Sequence, residues 1–262
     1  MRPVRALFAL ATLALLPAVG ACNLEISNQA EAKSEWKKDY PLAAGATLEI
    51  RNTNGPIAVE AVDGNTVSVV AERTARAATD QAAKEAAEGI EIRETVSSGG
   101  VIIDAKTSMS GIIIGGSSRQ VKFTIKAPKG TVLRLSNTNG TIDVRDITGD
   151  VNLSTTNGRI RGAGLSGAAR VETTNGEVDL DYTTMPSGGI TVETTNGGVA
   201  VRLPTDAKAR IEARVTNGGI DADGFNLSIG EQSRRRLSAT LNGGGPEVRV
   251  ETTNGGVRIR PR

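Results

Sequence analysis

The side chains best suited to chemistry are few in this sequence. Its 262 residues hold one cysteine, Cys22, and no histidine. Without imidazole there is no Ser-His or Cys-His nucleophile pair, and no zinc site that depends on histidine. Ser34-Glu35-Trp36-Lys37 has the Ser-x-x-Lys spacing of penicillin-recognising enzymes, but the companion Ser-Asp-Asn and Lys-Thr-Gly strings are absent. Gly164-Leu165-Ser166-Gly167-Ala168 departs from Gly-x-Ser-x-Gly at its last residue, and no Gly-x-x-x-x-Gly-Lys-Ser/Thr phosphate loop occurs. Asp221-Ala222-Asp223-Gly224-Phe225-Asn226 sets oxygen ligands at alternate positions, as Ca²⁺ favours, yet lacks a distal Glu and reads as a turn. Arg234-Arg235-Arg236 reads as a solvated loop that could meet lipid phosphate or an acidic glycan. Asp143, Glu172, Asp179 and Glu193 alternate with apolar residues, which is the pattern of an outward strand face. Sugar-cleaving enzymes also use aromatic platforms, and after residue 21 the chain has only Trp36, Tyr40, Phe123, Tyr182 and Phe225. No catalytic residue, cofactor or metal ligand is therefore assigned.

Cys22 has a different use. Arg2 and Arg5 precede an apolar run from Ala6 to Val19, too short for a permanent membrane span but long enough for a signal peptide. The run ends in Val19-Gly20-Ala21-Cys22, which resembles the bacterial lipobox. Small residues before the cysteine fit a signal peptidase, and the thiol accepts the lipid. The reading is a signal peptide over 1–21, lipid on Cys22 and a polar tether over 22–40. With its one thiol acylated, the chain has none left for a disulfide or a thiolate metal site. Removing the signal takes two of the 31 basic residues and no acid, leaving 29 basic against 29 acidic. A neutral chain gives no support to nucleic acid as a partner. The membrane, reached through the N-terminal lipid, is one expected partner, and an unidentified protein or glycan surface is the other.

What must position any surface feature is a repeat. Thr-Asn-Gly recurs with its Asn at Asn54, Asn139, Asn157, Asn175, Asn196, Asn217 and Asn254, and from Asn139 to Asn217 the steps are 18, 18, 21 and 21 residues. A period near 20 signals a solenoid. Four residues before each Asn stand Ile50, Leu135, Leu153, Val171, Val192, Ala213 and Val250; three after it stand Ile57, Ile142, Ile160, Val178, Val199, Ile220 and Val257. Two before each Asn stands Asn, Thr or Val, and five after it Val, Leu, Ile, Ala or Gly. Steps of two within each arm describe strands with one face inward. Asn-Gly accepts positive φ, so it turns the chain between arms. Gly149, Gly167 and Gly188, eight before their Asn, mark a second corner. The expected fold is all-β: a right-handed parallel β-solenoid over 41–262 with Asn-Gly corners and one short helix inserted near 74–89. The seven Asn, sharing the inward parity, are expected to stack as a structural ladder of side-chain amides. Ala75, Ala78, Ala82 and Ala86 give the inserted helix its apolar face, and Gly89 its end. Residues 108–118 read as a loop.

These features resemble the bacterial DUF4097 family, whose members carry the name putative adhesin. The resemblance rests on the strand–helix–strand unit, the Lys126-Ala127-Pro128-Lys129-Gly130 lead-in and the Asn-Gly coils, over roughly residues 40–261. It implies a β-helix-like surface domain. The function expected is that of a non-enzymatic cell-envelope lipoprotein presenting a β-solenoid surface for adhesion, binding or scaffolding, on the outer membrane or its periplasmic face. Envelope-stress sensing and, further off, a glycan-active β-helix enzyme are the alternatives. Replacing Cys22 by Ser is expected to abolish incorporation of a palmitate analogue and to leave an unprocessed or soluble product. Undiminished label in Cys22→Ser would refute the lipobox reading.

Overall fold

The computed structural model describes residues 30–43, 45–106 and 118–262. The signal segment and Cys22 lie outside the described residues, as does nearly all of the loop expected at 108–118. The rest is two facing sheets, one of ten strands and one of eleven. Each Asn-Gly copy supplies one strand to each. In the Asn175 coil, Ala169–Asn175 lies in the eleven-stranded sheet and Val178–Tyr182 in the ten-stranded sheet. Successive coils pair in parallel and in register, so that Asn157 lies beside Asn175 and Asn175 beside Asn196. The expected parallel solenoid is the observed fold.

The core lies between the sheets. Ile50, Leu135, Leu153, Val171, Val192, Ala213 and Val250 are all buried from one side, and Ile57, Ile142, Ile160, Val178, Val199 and Val257 from the other. β-Branched residues suit this narrow pleated interior. Two residues further on, Val144, Leu180, Val201 and Ile259 form another buried column; Gly162 breaks it and Leu165 fills the gap, since a Cβ on Gly162 would stand 2.6 Å from Leu165 Cδ1. Tyr182 is the largest fully buried side chain among the described residues, and burial pushes its phenol pKa up.

Stacking order departs from chain order at both ends. The Asn254 coil, Glu247–Asn254 and Val257–Pro261, lies between the Asn196 and Asn217 coils. The Asn54 coil lies between the Asn139 coil and a coil without the motif, Gly100–Lys106 with Ser118–Pro128. Antiparallel strands then close the stack. At the early end Ala30–Pro41 pairs with Thr66–Ala77, which pairs with Ser118–Pro128, while Glu91–Ser97 pairs with Gly100–Lys106. At the late end Arg236–Leu241 pairs with Ala209–Asn217, and Leu227–Gln232 with Arg236–Leu241. The break of period after residue 224 is this hairpin.

Two expectations need correction here. Residues 30–40, read as tether, belong to the strand Ala30–Pro41, whose Tyr40 is buried. The polarity that suggested a tether is that of a cap strand whose outer side meets solvent. The helix runs over Asp80–Glu88, shorter than the expected 74–89, because Thr66–Ala77 continues as a strand and Thr79 caps the helix by accepting from the Ala82 N–H. Gly89 ends it, as expected, in a right-handed conformation. The helix packs on the two cap strands Ala30–Pro41 and Thr66–Ala77, burying Ala86 and Ala87 against Ala75.

The corners depend on close backbone approach. A Cβ on Gly176 would stand 1.8 Å from Gly158 O, and one on Gly197 1.8 Å from Gly176 O. At the second corner a Cβ on Gly167 would stand 2.1 Å from Gly149 O. Gly130, by contrast, has nothing within 4 Å of its Cβ position. Gly176→Ala is expected to lower stability by about 3 kcal/mol through forced separation of coils, as overpacking does in cores, and Gly130→Ala by under about 0.5 kcal/mol. Urea unfolding of the two variants checks this; equal midpoints would show that the coils stand further apart than described.

Candidate functional site

The Asn residues form one continuous chain of amides along the stack. Nδ2 of Asn139 donates to Oδ1 of Asn54 at 2.7 Å, Asn157 to Asn139 at 2.9 Å and Asn175 to Asn157 at 2.9 Å. Asn196 donates to Asn175 at 2.8 Å, Asn254 to Asn196 at 2.8 Å and Asn217 to Asn254 at 2.9 Å. All seven residues of the motif are therefore linked, in stacking order. Their placement differs from the inward parity expected: Asn54 is half-buried and the other six are exposed. Nor do they take positive φ, which among the described non-glycine residues occurs only at Asp146 and Asn242. The reason is local. The strand's alternation stops one residue before the Asn, so that Thr174 and Asn175 both face solvent after buried Thr173.

The inward polar column is the one two residues earlier. Thr155, Thr173, Thr194 and Thr252 are buried, and their hydroxyls donate to corner carbonyls, Thr252 to Gly197 O at 3.1 Å and Thr173 to Gly158 O at 3.4 Å. In the early coils Asn52 and Asn137 take that place. Asn52 Nδ2 donates to Gly55 O at 3.0 Å and to Val121 O at 2.9 Å, and Asn137 Nδ2 to Gly55 O at 2.8 Å. These bonds tie each corner to the next, while the Oδ1 atoms of Asn52 and Asn137 stay buried without a hydrogen-bond partner.

Outside the corner lies a row that the sequence repeats just as strictly. Thr138, Thr156, Thr174, Thr195, Thr253 and Thr216 each precede a ladder Asn and are all exposed. The sequence carries this row as a threonine directly before every Asn, at a position whose outward direction strand parity does not give. Five of these threonines border a shallow trough of about 830 Å³ on the eleven-stranded sheet, running across the Asn157, Asn175, Asn196, Asn254 and Asn217 coils. With neighbouring strands about 4.8 Å apart, the row is roughly 20 Å long. Glu172, Glu193 and Glu251 stand along its floor. Arg170 holds Glu172 at 2.5 Å, and Arg249 holds Glu251 at 2.7 Å. The trough's far end is built by the Ser233–Arg236 turn, with Arg235 and Arg236 on its lining and Arg236 3.5 Å from Glu231. Main-chain bonds fix that turn: Val215 N–H donates to Arg235 O at 2.9 Å and Ile220 N–H to Arg234 O at 3.2 Å. The arginine triplet, expected as a solvated loop, thus closes one end of the trough.

The other candidates stay dispersed. Asp221 pairs with Arg260 at 2.6 Å, and that hydrogen bond, first among its neighbours, holds its carboxyl below the usual range. Asp143 lies 3.8 Å from Arg161 and Asp179 2.8 Å from Arg202. Ser34 sits in the cap strand Ala30–Pro41 and Ser166 just beyond Ile160–Leu165. No group of three or more acidic, histidine or cysteine side chains that could hold a metal ion occurs among the described residues. No helix among them is long and apolar enough to cross a membrane.

The five threonines of the trough and five of the seven ladder Asn lie in the part of the chain that a family model matches. Residues 147–260 match the family model described as Toastrack DUF4097. No curated protein matches the sequence. A crystal structure of a putative cell adhesion protein from Clostridium sporogenes superposes with a TM-score of 0.51, at 16% identity, covering 88% of this chain and 100% of that one. A putative adhesin from Bacteroides fragilis gives a TM-score of 0.34 at 11% identity, over 88% of this chain and 98% of that one.

Each interior Asn makes two ladder bonds, both exposed, so the net contribution of each bond falls toward the low end of the 0.5–1.5 kcal/mol range and Asn175→Ala is expected to cost about 1 kcal/mol. Water reaches the amides left behind, which keeps the loss below that of a buried break. Asn226, outside the ladder, is the control. A urea midpoint for Asn175→Ala no lower than that of Asn226→Ala would remove the ladder from the account of stability. Over residues 147–260, the coils that carry five of the seven ladder Asn and the five threonines of the trough are similar to the Toastrack DUF4097 domain.

Proposed function

We propose that the chain is a non-enzymatic, lipid-anchored protein of the cell envelope that holds an extended polar chain, protein or glycan, in the threonine trough. One observation carries this reading. Five coils repeat the same exposed threonine beside the same amide, giving a straight row of hydroxyls that a linear partner can follow. Each hydroxyl offers a donor and an acceptor, so the row accepts partners of varied sequence. The arginines at one end add a place for an anionic group. Similarity to the Toastrack DUF4097 family, and the cell-adhesion name of a protein with a comparable fold, support a surface role. Lipid on Cys22 supplies the anchor in this reading.

The test is retention of the purified full chain on isolated cell envelopes, with the double variant Thr174→Arg, Thr195→Arg as comparison. Both positions are exposed, so the melting temperature should stay within about 2 °C of the parent, matching the small effect of surface substitutions. Retention should fall at least about tenfold, the equivalent of 1.4 kcal/mol. Unchanged retention in the double variant would move the binding surface elsewhere.

A further inference from the structure

The two ends of the stack differ, and each sheet overhangs where the other stops short. At the Asn217 end the ten-stranded sheet stops at Ile220–Asp221, while the eleven-stranded sheet runs on through Arg236–Leu241 and Leu227–Gln232. At the opposite end the eleven-stranded sheet adds only Glu91–Ser97 beyond Gly100–Lys106, while the ten-stranded sheet adds both Thr66–Ala77 and Ala30–Pro41 beyond Ser118–Pro128. Set one copy's Asn217 end on another copy's opposite end. The junction then has three added strands in one sheet against two strands in the other, with the Ala222–Asn226 turn filling beside them.

The outermost strands of the eleven-stranded sheet are matched in three ways. Each leaves one edge of backbone N–H and C=O groups without a strand partner, the condition that natural sheets must manage. Each carries one large exposed hydrophobic residue, Ile229 at 53% and Val96 at 61%, and these are the two such residues found among the described residues. Both face the core side, since Ile229 is paired with buried Ala239 and Val96 with buried Val101. Strand directions also agree. Leu227–Gln232 runs with the coils and Glu91–Ser97 runs against them, so copies stacked in the same sense meet antiparallel. Beyond the register shift after Ile229, Glu231 turns to the outer face beside Arg236, while Glu94 keeps Lys38 and Tyr40.

We propose that copies of this chain assemble head to tail. The edge Leu227–Gln232 of one adds antiparallel to Glu91–Ser97 of the next, which continues the eleven-stranded sheet and covers Ile229 and Val96 together. The contact is heterologous, so nothing in it stops growth at a dimer. The partner is a second copy, joined by the same strand addition that proteins use to capture extended peptides.

The test is sedimentation velocity of the purified full chain in detergent over a range of concentrations, with Ile229→Lys and Val96→Lys. Both residues are exposed, and unchanged circular dichroism shows that the variants fold. The parent should give an open series of oligomers. Each single variant alone should sediment as the monomer, because each has lost one of the two unlike ends. Mixed together they should form dimers and nothing larger, since one intact end remains on each partner. Lipid-driven association would persist in the single variants and so would overturn the proposal. Oligomers of one single variant alone would show that like ends pair, and a parent that stays monomeric throughout would also defeat it.

Discussion

Direct contact between corner backbones sets the spacing of every column in this protein. Strand pairing alone brings neighbouring coils to about 4.8 Å, but side chains at a sharp corner would normally force the loops apart. Here Gly158, Gly176 and Gly197 lie so close to the preceding corner that a Cβ would stand 1.8 to 2.0 Å from a carbonyl oxygen. Only hydrogen fits. Because the corners are this tight, the strands on both sides stay in register, and identical positions of successive coils fall on one line. The inner threonines can then reach the next corner's carbonyl, and the outer amides can reach one another.

Exact stacking rewards some side chains and penalises others. A residue repeated in a column meets its own kind above and below. An amide is self-complementary, having both a donor and an acceptor, and a hydroxyl is too; β-branched apolar groups simply pack. A carboxylate or a guanidinium repels its copy. The sequence follows this rule. Asn, Thr, Val and Ile repeat through the coils, while the outward charged positions alternate in sign or find a partner on a neighbouring column. Asp143, Arg161 and Asp179 alternate along one line of the ten-stranded sheet. Where like charges do repeat, at Glu172, Glu193 and Glu251, Arg170 and Arg249 stand beside them.

The same regularity explains what the sequence could and could not disclose. Asn-Gly copies and period-two arms showed the coil, its two strands and its inward columns, because those follow from local alternation. Stacking order was not legible. Every coil presents the same columns at the same register, so any coil can pair with any other, and the sequence alone favours the nearest copy. What decides is the fitness of each coil for an end position. The Asn217 coil has Val215 where its neighbours have threonine, and only two residues, Ile220 and Asp221, in its second strand. It makes a weak interior layer, so it sits at the end, and the Asn254 coil with Thr252, Val257 and Ile259 takes the place inside. The cap strand Ala30–Pro41 was not legible for a related reason. A strand with only one paired edge carries charges on most outward positions, and its composition resembles that of a linker.

The candidate site was half legible on the same grounds. Inward parity pointed to the Asn column as the buried one, yet parity ends where the chain begins to turn. The residue after the last buried threonine and the Asn itself both point outward, since at the corner the backbone leaves the sheet plane while the glycine keeps it close. A constraint on the backbone thereby places two adjacent polar rows on the outside of every coil. The buried threonine holds the corner, the glycine admits the neighbour, the Asn links coil to coil, and the remaining threonine is left with no structural partner to satisfy. It is the position in the motif with the least structural work, and its repetition in all seven copies is what makes the trough, not the ladder, the place where a ligand would be met.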